Sequence, residues 1–461
     1  MKKWILLIAS MLSATLLFAA CGNNNQAAPT GTVTGTQAST SGDTSGGNSE
    51  EIVTIQFYSW EASLREQNAA VIEAFEALHQ NIRVNIHYPV ENDNAAFTTQ
   101  MDLLLLANEQ IDAMIESAVS RMANKVSRGM YRPLNEFMER EGIVFDEVYS
   151  VSSYIDGNYY GLPIDVSPWF IMINKDALDA AGLDIPPLDW TWEDYREYAR
   201  ILSHGEGTDR VFGSYFHTWN NFYLMGLYST KMDNALFHPD GTLTFDDPAF
   251  RDWLQFRFEM ENEERISRPL IDIMTANMAY RNEFWSGRAI MMPIGSWMLA
   301  EIKDTDNWPR DFQVAFAPLP RWEPNGVAGR TFSDTKMLSI PVNARYPEEA
   351  YKFIRFYTEE GAFIRAGGLV ALRDADIVGN INTIIESPYM EELYHLDSLY
   401  ALFNNPALVF NAPLTSPIYD SEITALMIEE SERFMVGGTT LDETIESLMS
   451  RGNTIIEQAT R

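Results

Sequence analysis

Residues 156–176 read Asp-Gly-Asn-Tyr-Tyr-Gly-Leu-Pro-Ile-Asp-Val-Ser-Pro-Trp-Phe-Ile-Met-Ile-Asn-Lys-Asp. A turn signal, Asp156-Gly157, leads into Tyr159-Tyr160, and Gly161 and Pro163 punctuate what would otherwise be a plain strand. The apolar run Phe170-Ile171-Met172-Ile173 follows and ends at Asn174-Lys175-Asp176. Two readings fit. In one, a hairpin feeds a core strand. In the other, a strand crosses from one domain to another, and Asp165 and Trp169 stand where the crossing opens on a cleft.

The chain around this stretch is 461 residues long, more than one ordinary core organises, so two domains are expected. It carries 33 Lys and Arg against 65 Asp and Glu, a formal net charge of −32. Without Lys2 and Lys3, which lie in a leader expected to be removed, 31 basic residues face 65 acidic ones. Such a polyanion repels phosphate backbones and anionic membrane surfaces, which argues against nucleic acid as a partner and against lying flat on a bilayer. The single cysteine, Cys21, excludes an intrachain disulfide and a cysteine-based zinc site.

Lys2-Lys3 precede an apolar run from Trp4 to Ala20, with small residues before Cys21, the pattern of a secretory signal. The sequence Phe18-Ala19-Ala20-Cys21 resembles a bacterial lipobox, with Phe18 in place of the usual Leu. Residues 1–21 are therefore expected to be a lipoprotein signal peptide with Cys21 lipidated. Residues 22–50 are rich in Gly, Ser, Thr, Asn and Gln and are expected to form a disordered tether reaching roughly 30 Å.

Alternation at Val53, Ile55 and Phe57, then at Ile82, Val84 and Ile86, predicts two strands. Between them Ser63 is expected to cap a helix with Val71, Phe75 and Leu78 on its apolar face and Ile72 beside it. This is a βαβ unit with parallel strands, whose ligands lie beyond the carboxyl ends. Ser59, Trp60 and Glu61 fall at such an end. Ile111 to Ile115 predicts the next strand, leaving Glu116 and Ser117 at its end. Further on, Thr191-Trp192-Glu193-Asp194 is a capping box, Pro239-Asp240-Gly241 a hairpin turn, and Trp253 to Phe258 a helix whose solvated end is the acidic run 259–264. Ala289 to Pro293 reads as a short strand closed by Gly295-Ser296-Trp297. Pro347 opens a helix with Ala350, Phe353, Ile354 and Tyr357 on one face, and Thr440-Leu441-Asp442-Glu443 caps the last helix.

No zincin, Walker or nucleophile-elbow motif occurs, and the six histidines are scattered without metal-ligand spacing. Asp374 to Gly379 begins like a calcium loop but lacks the later oxygen ligands. No catalytic residue, metal or cofactor is expected. What the chain has in quantity is aromatic rings, 11 Trp and 20 Tyr. An aromatic face stacks on the C–H face of a sugar while neighbouring polar groups bond its hydroxyls. Trp60-Glu61, Trp169 near Asp165, Trp219-Asn220-Asn221 and Ser296-Trp297 share that pattern. Core packing is the competing reading for each of them, and it is preferred for Trp190, Trp192 and Trp253, which lie within or against helical patterns.

Several blocks together resemble one family, the extracellular solute-binding proteins of ABC importers, carbohydrate-binding family 1. They are residues 156–163 with Ile173-Asn174-Lys175-Asp176; Ala181-Gly182-Leu183 and Pro186-Pro187 leading to Thr191-Trp192-Glu193-Asp194; Phe284-Trp285-Ser286-Gly287-Arg288-Ala289-Ile290-Met291 with Gly295-Ser296-Trp297; and Pro318-Leu319-Pro320 with the Pro347 helix. The resemblance runs from about Val53 to the C-terminus. It implies a two-lobed α/β fold of the periplasmic-binding-protein type with ligand in a cleft between lobes joined by hinge strands. Lobe one is expected at 51–164 plus 313–375 and lobe two at 165–312 plus 376–461. The ligand-contact set then expected is Trp60, Glu61, Glu116, Asp165, Trp169, Trp219, Asn220, Trp297, Arg330 and Asp334. Gly329 to Asp334 holds one Gly where the family often has several, and Ala366-Gly367-Gly368-Leu369 lacks the usual following Pro. The expected protein is a monomeric, lipid-anchored receptor on the outer face of a Gram-positive membrane, whose partners are a carbohydrate and an ABC-transporter permease. The alternatives are a binding protein for a peptide or polyamine and an exported glycan-acting enzyme, which would need a carboxylate pair.

Overall fold

The computed structural model describes residues 51–460 apart from 232–234, 239, 323–325, 406–407, 412–416 and 418. The leader, Cys21, the tether and Pro239 lie outside the described residues. Residues 50–461 cluster as one compact unit.

Twelve strands are described: β1 (Val53–Tyr58), β2 (Ile82–His87), β3 (Ala113–Glu116), β4 (Tyr154–Ile155), β5 (Asn158–Tyr159), β6 (Leu162–Asn174), β7 (Phe212–Ser214), β8 (Ala289–Gly295), β9 (Val314–Pro318), β10 (Arg330–Ser339), β11 (Leu369–Val370) and β12 (Val409–Asn411). Apart from the β4–β5 hairpin they form a mixed sheet in the order β2-β1-β3-β10-β6-β8-β7. Strands β9 and β11 also pair with β6, and β12 with β10.

The expected βαβ unit forms. β1 runs parallel to β2 from Val53↔Ile82 to Tyr58↔His87, and parallel to β3 at Phe57↔Ala113. The intervening helix, Arg65–Leu78, differs from expectation at both ends. Ser63 lies inside a short 3-10 turn, Ala62–Leu64, and caps nothing; its N–H instead donates to Asn92 Oδ1. Leu78 is 65% exposed, and the buried face is Asn68, Val71 and Phe75. The helix shifts its stripe toward its N-terminus because Asn68 is wanted inside, where it accepts from the Tyr357 hydroxyl and donates to that of Tyr88.

The opening stretch forms the hairpin and the core strand of the first reading. Asp156 and Gly157 have φ of 45° and 89° and close the β4–β5 hairpin, a left-handed pair suited to Asp-Gly. The chain then enters β6, whose thirteen residues are all buried. Its first half pairs antiparallel with β10, from Leu162↔Leu338 to Pro168↔Ser333. Its second half pairs with β8 and β9, from Trp169↔Gly295 and Phe170↔Pro318 onward. The register between β6 and β10 shifts between Lys336 and Met337, opposite Asp165 and Pro163, so Pro163 sits at an irregularity, where a missing N–H is tolerated. Alternate residues of β6 serve different cores: Val166, Phe170 and Met172 pack with Phe316 and Leu399, whereas Trp169, Ile171 and Ile173 pack with Trp192, Trp253 and Phe332.

Elements with local signals appear as expected. Thr191 and Asp194 close a capping box on Trp192–Leu202, and Thr440 and Glu443 close one on Leu441–Ala459. Pro347–Thr358 buries Ala350, Phe353, Ile354 and Tyr357. Trp190, Trp192 and Trp253 are buried in the core. The acidic run after Phe258 is a correction. It forms a π-helical turn, Glu259–Glu263, and Glu261 is fully buried against Arg257 at 2.5 Å while accepting from the Leu270 N–H. A charge run read as solvated thus holds a buried ion pair, because a widened turn aims one of its members inward.

Candidate functional site

Glu61 follows the carboxyl end of β1, and its N–H donates to Ser59 Oγ at 3.0 Å. Its carboxylate is 7% exposed as a residue and receives Arg365 Nη2 at 2.7 Å on both oxygens. Lys336 on β10 reaches Glu61 at 2.7 Å and Asp165 at 2.6 Å, and Arg365 Nη1 reaches Asp165 at 3.3 Å. Burial alone would push the Glu61 carboxyl up; Arg365 and Lys336 outweigh it and hold the carboxyl down at about 2. Gly368 is part of this arrangement, because a Cβ there would stand 2.8 Å from Asp165 Oδ2. The Gly367-Gly368 pair therefore serves close approach. Glu61 and Asp165 were expected to contact ligand directly. In the structure both belong to a four-residue ion network at β6, their oxygens turned to cations apart from Asp165 Oδ1, which has no hydrogen-bond partner among the described residues. Glu116, at the end of β3, is likewise engaged: it is buried, pairs with Lys125 Nζ at 2.9 Å and accepts from the Tyr131 hydroxyl. The pairing of Glu61 and Asp165 with cations far along the chain left no local trace in the sequence, whereas the partners of Glu116 lie 9 and 15 positions away.

The second half of β6 presents an aromatic wall. Trp169 is only 1% exposed. Its Nε1 donates to Asp334 Oδ2 at 2.8 Å, and Asn221 Nδ2 donates to both Asp334 oxygens at 3.1–3.2 Å. Burial pushes the Asp334 carboxyl up, against the pull of these two donors. Around Trp169 stand Phe332 at 4.7 Å, Phe222 at 5.2 Å, Trp297 at 5.6 Å and Trp219 at 6.4 Å between ring centres. Trp219 and Trp297 are half-buried, and so is Trp60, which leans on Phe97 at 5.4 Å. Gly295 makes room for Trp297, since a Cβ there would fall 2.0 Å from that indole. Asn220 is half-buried at the head of the 3-10 turn Asn220–Tyr223, and Arg330 is half-buried at the start of β10.

Of the ten expected residues, the structure thus brings Trp169, Trp219, Trp297 and Asp334 together in one wall, and Glu61 with Asp165 in an ion network. Trp169 is a packed support for Asp334 rather than an open face. The wall also includes residues absent from the expected set. Tyr280 accepts from Trp297 Nε1 at 3.3 Å and lies 5.0 Å from the Trp219 ring, and His217 stands edge-on to Trp219 at 4.8 Å. Burial, reinforced by Arg257, lowers the His217 imidazole to about 4, so it is neutral near pH 7. Asn221 was visible in the sequence as part of the Trp219-Asn220-Asn221 pattern, although the expected contact set stopped at Asn220. Lys336 and Arg365 had no such signal. Among the described residues no group of three or more His, Cys, Asp or Glu is placed to hold a metal ion.

Residues 59–362 match the family model for bacterial extracellular solute-binding protein, and the chain belongs to that family. Among curated relatives, the arabinooligosaccharide-binding protein of Halalkalibacterium halodurans is 26% identical over 200 residues, 42% of this chain and 42% of that protein. The sn-glycerol-3-phosphate-binding periplasmic protein UgpB of Escherichia coli K12 is 23% identical over 270 residues, 56% of this chain and 60% of that protein. The chain thus spans about half the length of the curated relatives it matches. Among solved structures, the ABC substrate-binding protein Lmo0181 of Listeria monocytogenes, in complex with cycloalternan, superposes with a TM-score of 0.70 at 18% identity, covering 88% of this chain and 99% of that one. The fold is that of the two-domain periplasmic-binding proteins.

Proposed function

We propose that this protein captures a sugar or short oligosaccharide in the cleft between a lobe of residues 51–164 plus 313–375 and a lobe of residues 165–312 plus 376–461, and delivers it unchanged to the permease of an ABC transporter. The observation that carries the reading is the wall of half-buried indoles, Trp219 and Trp297, packed on Trp169, whose Nε1 donates to Asp334 together with Asn221. Apolar ring faces with a few convergent polar groups are what sugar recognition asks for. Trp60, Asn220 and Arg330 complete the proposed contacts. Membership of the solute-binding family and the arabinooligosaccharide-binding relative support it.

The mechanism is differential affinity. A ligand that touches both lobes binds the closed state better than the open one, and the closed population rises in proportion. The strands that cross between halves, β6 and β10, are where such a motion would bend. No bond is made or broken, so the protein acts as a receptor and not as an enzyme. Lipid on Cys21 and the tether 22–50 hold it at the outer face of a Gram-positive membrane as a monomer.

A phosphate-bearing ligand, as named for the UgpB relative, is the second reading. It is disfavoured because Lys336 and Arg365 are already matched by Glu61 and Asp165. A peptide or polyamine ligand and a glycan-acting enzyme stand behind it.

Thermal unfolding against a panel of neutral sugars, glycerol phosphates, peptides and polyamines tests the reading. Ligand at a hundred times its dissociation constant adds about 2.7 kcal/mol, a shift of several degrees. A shift with one sugar class is expected; shifts confined to glycerol phosphates or peptides would remove the carbohydrate assignment. Replacing Cys21 by Ser is expected to release the protein from the membrane fraction, and retention would count against the anchor.

A further inference from the structure

Charge is balanced around the cleft at every carboxylate discussed above except one. Glu61 and Asp165 are matched by Arg365 and Lys336, and Glu116 by Lys125. Asp334 is half-buried, and its described partners are two neutral donors, Trp169 Nε1 and Asn221 Nδ2. No ion pair joins it to a Lys or Arg among the described residues. The undescribed stretches between residues 232 and 418 contain neither Lys nor Arg, so they supply no missing cation. Behind the wall, Arg257 is committed to Glu261 and Arg281 to Glu301. Arg330 stands four residues along β10, roughly 13 Å away at strand rise. His217 is neutral near pH 7.

Trp169, which donates to Asp334, and the rings packed near it are steeply inclined to one another, and the Asp165 carboxylate is the charge that acts on Asp334. Trp169 meets Trp219 at 80° and Trp297 at 81°, Trp219 meets Trp297 at 57°, and Tyr280 meets Trp219 at 72°. Indoles close to a carboxylate that no cation neutralises suit a positively charged nitrogen, because the ring quadrupole adds to the attraction of the carboxylate. A further polar atom waits at the same wall. The Ser296 hydroxyl is buried without a hydrogen-bond partner among the described residues, and it follows the Gly295 that is in register with Trp169.

From this juxtaposition we propose that the ligand carries a positively charged nitrogen, which sits on Asp334 within the corner of Trp219 and Trp297. The ligand class is an amino sugar or amine-bearing oligosaccharide; a free organic amine shares the chemistry. The inference rests on the proposed function only in taking this wall as the binding site.

The test is calorimetric titration of the full chain in detergent at pH 6.5. The probes are glucosamine oligosaccharides, their N-acetylated counterparts, neutral gluco-oligosaccharides, choline and spermidine. A charged probe is expected to bind at least about tenfold more tightly than its neutral counterpart, and Asp334→Asn to erase that preference. Neutral sugars bound as well as charged ones overturn the inference and leave the carbohydrate receptor standing. Choline or spermidine bound without any sugar overturns the carbohydrate reading and keeps the cation site. Binding of no charged probe overturns the inference, and so does a preference that survives in the variant. Should Asp334→Asn not fold, the wild-type protein still decides. Lowering the pH toward 4 must shrink the preference for the glucosamine probe as Asp334 protonates, while affinity for the N-acetylated probe holds.

Discussion

Replacing Glu61 by Gln removes the carboxylate that Arg365 and Lys336 share and keeps the shape of the side chain. The folded carboxyl titrates near 2, against an ordinary value of 4.5. Each unit of that depression is worth about 1.4 kcal/mol, so the network contributes about 3 kcal/mol through Glu61. The cost usually seen on breaking a buried pair, about 3–5 kcal/mol, agrees. The folded pKa is the lower one, so this stability is fully present above pH 4.5 and is lost as pH falls toward 2. Urea unfolding of wild type and Glu61→Gln at pH 7, 5, 4 and 3 measures the difference directly. The variant is expected to be about 3 kcal/mol less stable at pH 7 and 5, with the gap narrowing by pH 3. A gap under about 1 kcal/mol at pH 7, or one that stays constant with pH, would refute the assignment of Glu61 to a structural ion network and return it to the ligand.

Four further substitutions separate packing from ligand contact. Trp169→Ala is expected to cost about 3–5 kcal/mol in unfolding free energy, since it empties a buried site and removes a donor from Asp334. Trp219→Ala, at a half-buried ring, should instead weaken ligand binding about tenfold or more in a fluorescence titration with little change in melting temperature. Arg257→Met strands the fully buried Glu261, leaving it the Leu270 N–H alone, and is expected to lower stability by about 3–5 kcal/mol in urea. Gly213→Ala would set a Cβ 2.0 Å from the Ala199 carbonyl oxygen, forcing β7 off the Trp192–Leu202 helix. A melting-temperature loss of several degrees is expected.

What could be read from the sequence was local. The Asp156-Gly157 turn, the capping boxes at Thr191 and Thr440 and the alternation in β1 and β2 each depend on residues a few positions apart, and each appears where expected. The resemblance supplied the order of the remaining blocks and hence the two-domain fold. The failures share a cause as well. Ser63 looks like a helix cap, but its N–H is taken by Asn92, 29 residues later. Glu61 and Arg365 are 304 residues apart, and Asp165 and Arg365 are 200 apart, so no window shows that they neutralise one another. Glu261 sits among acidic neighbours, and only the π-helical turn sends it inward. The aromatic wall was legible in part, because Trp219 and Trp297 stand beside small or amide residues. Tyr280 and His217 carry no such mark.

The measurement closest to the central claim is a calorimetric titration of the purified protein with the sugar class that raises its melting temperature, followed by recovery of the sugar. The account predicts saturable binding of one ligand per chain and sugar returned chemically unchanged. Sugar consumed during the titration, or no saturable binding by any sugar, charged or neutral, would contradict it.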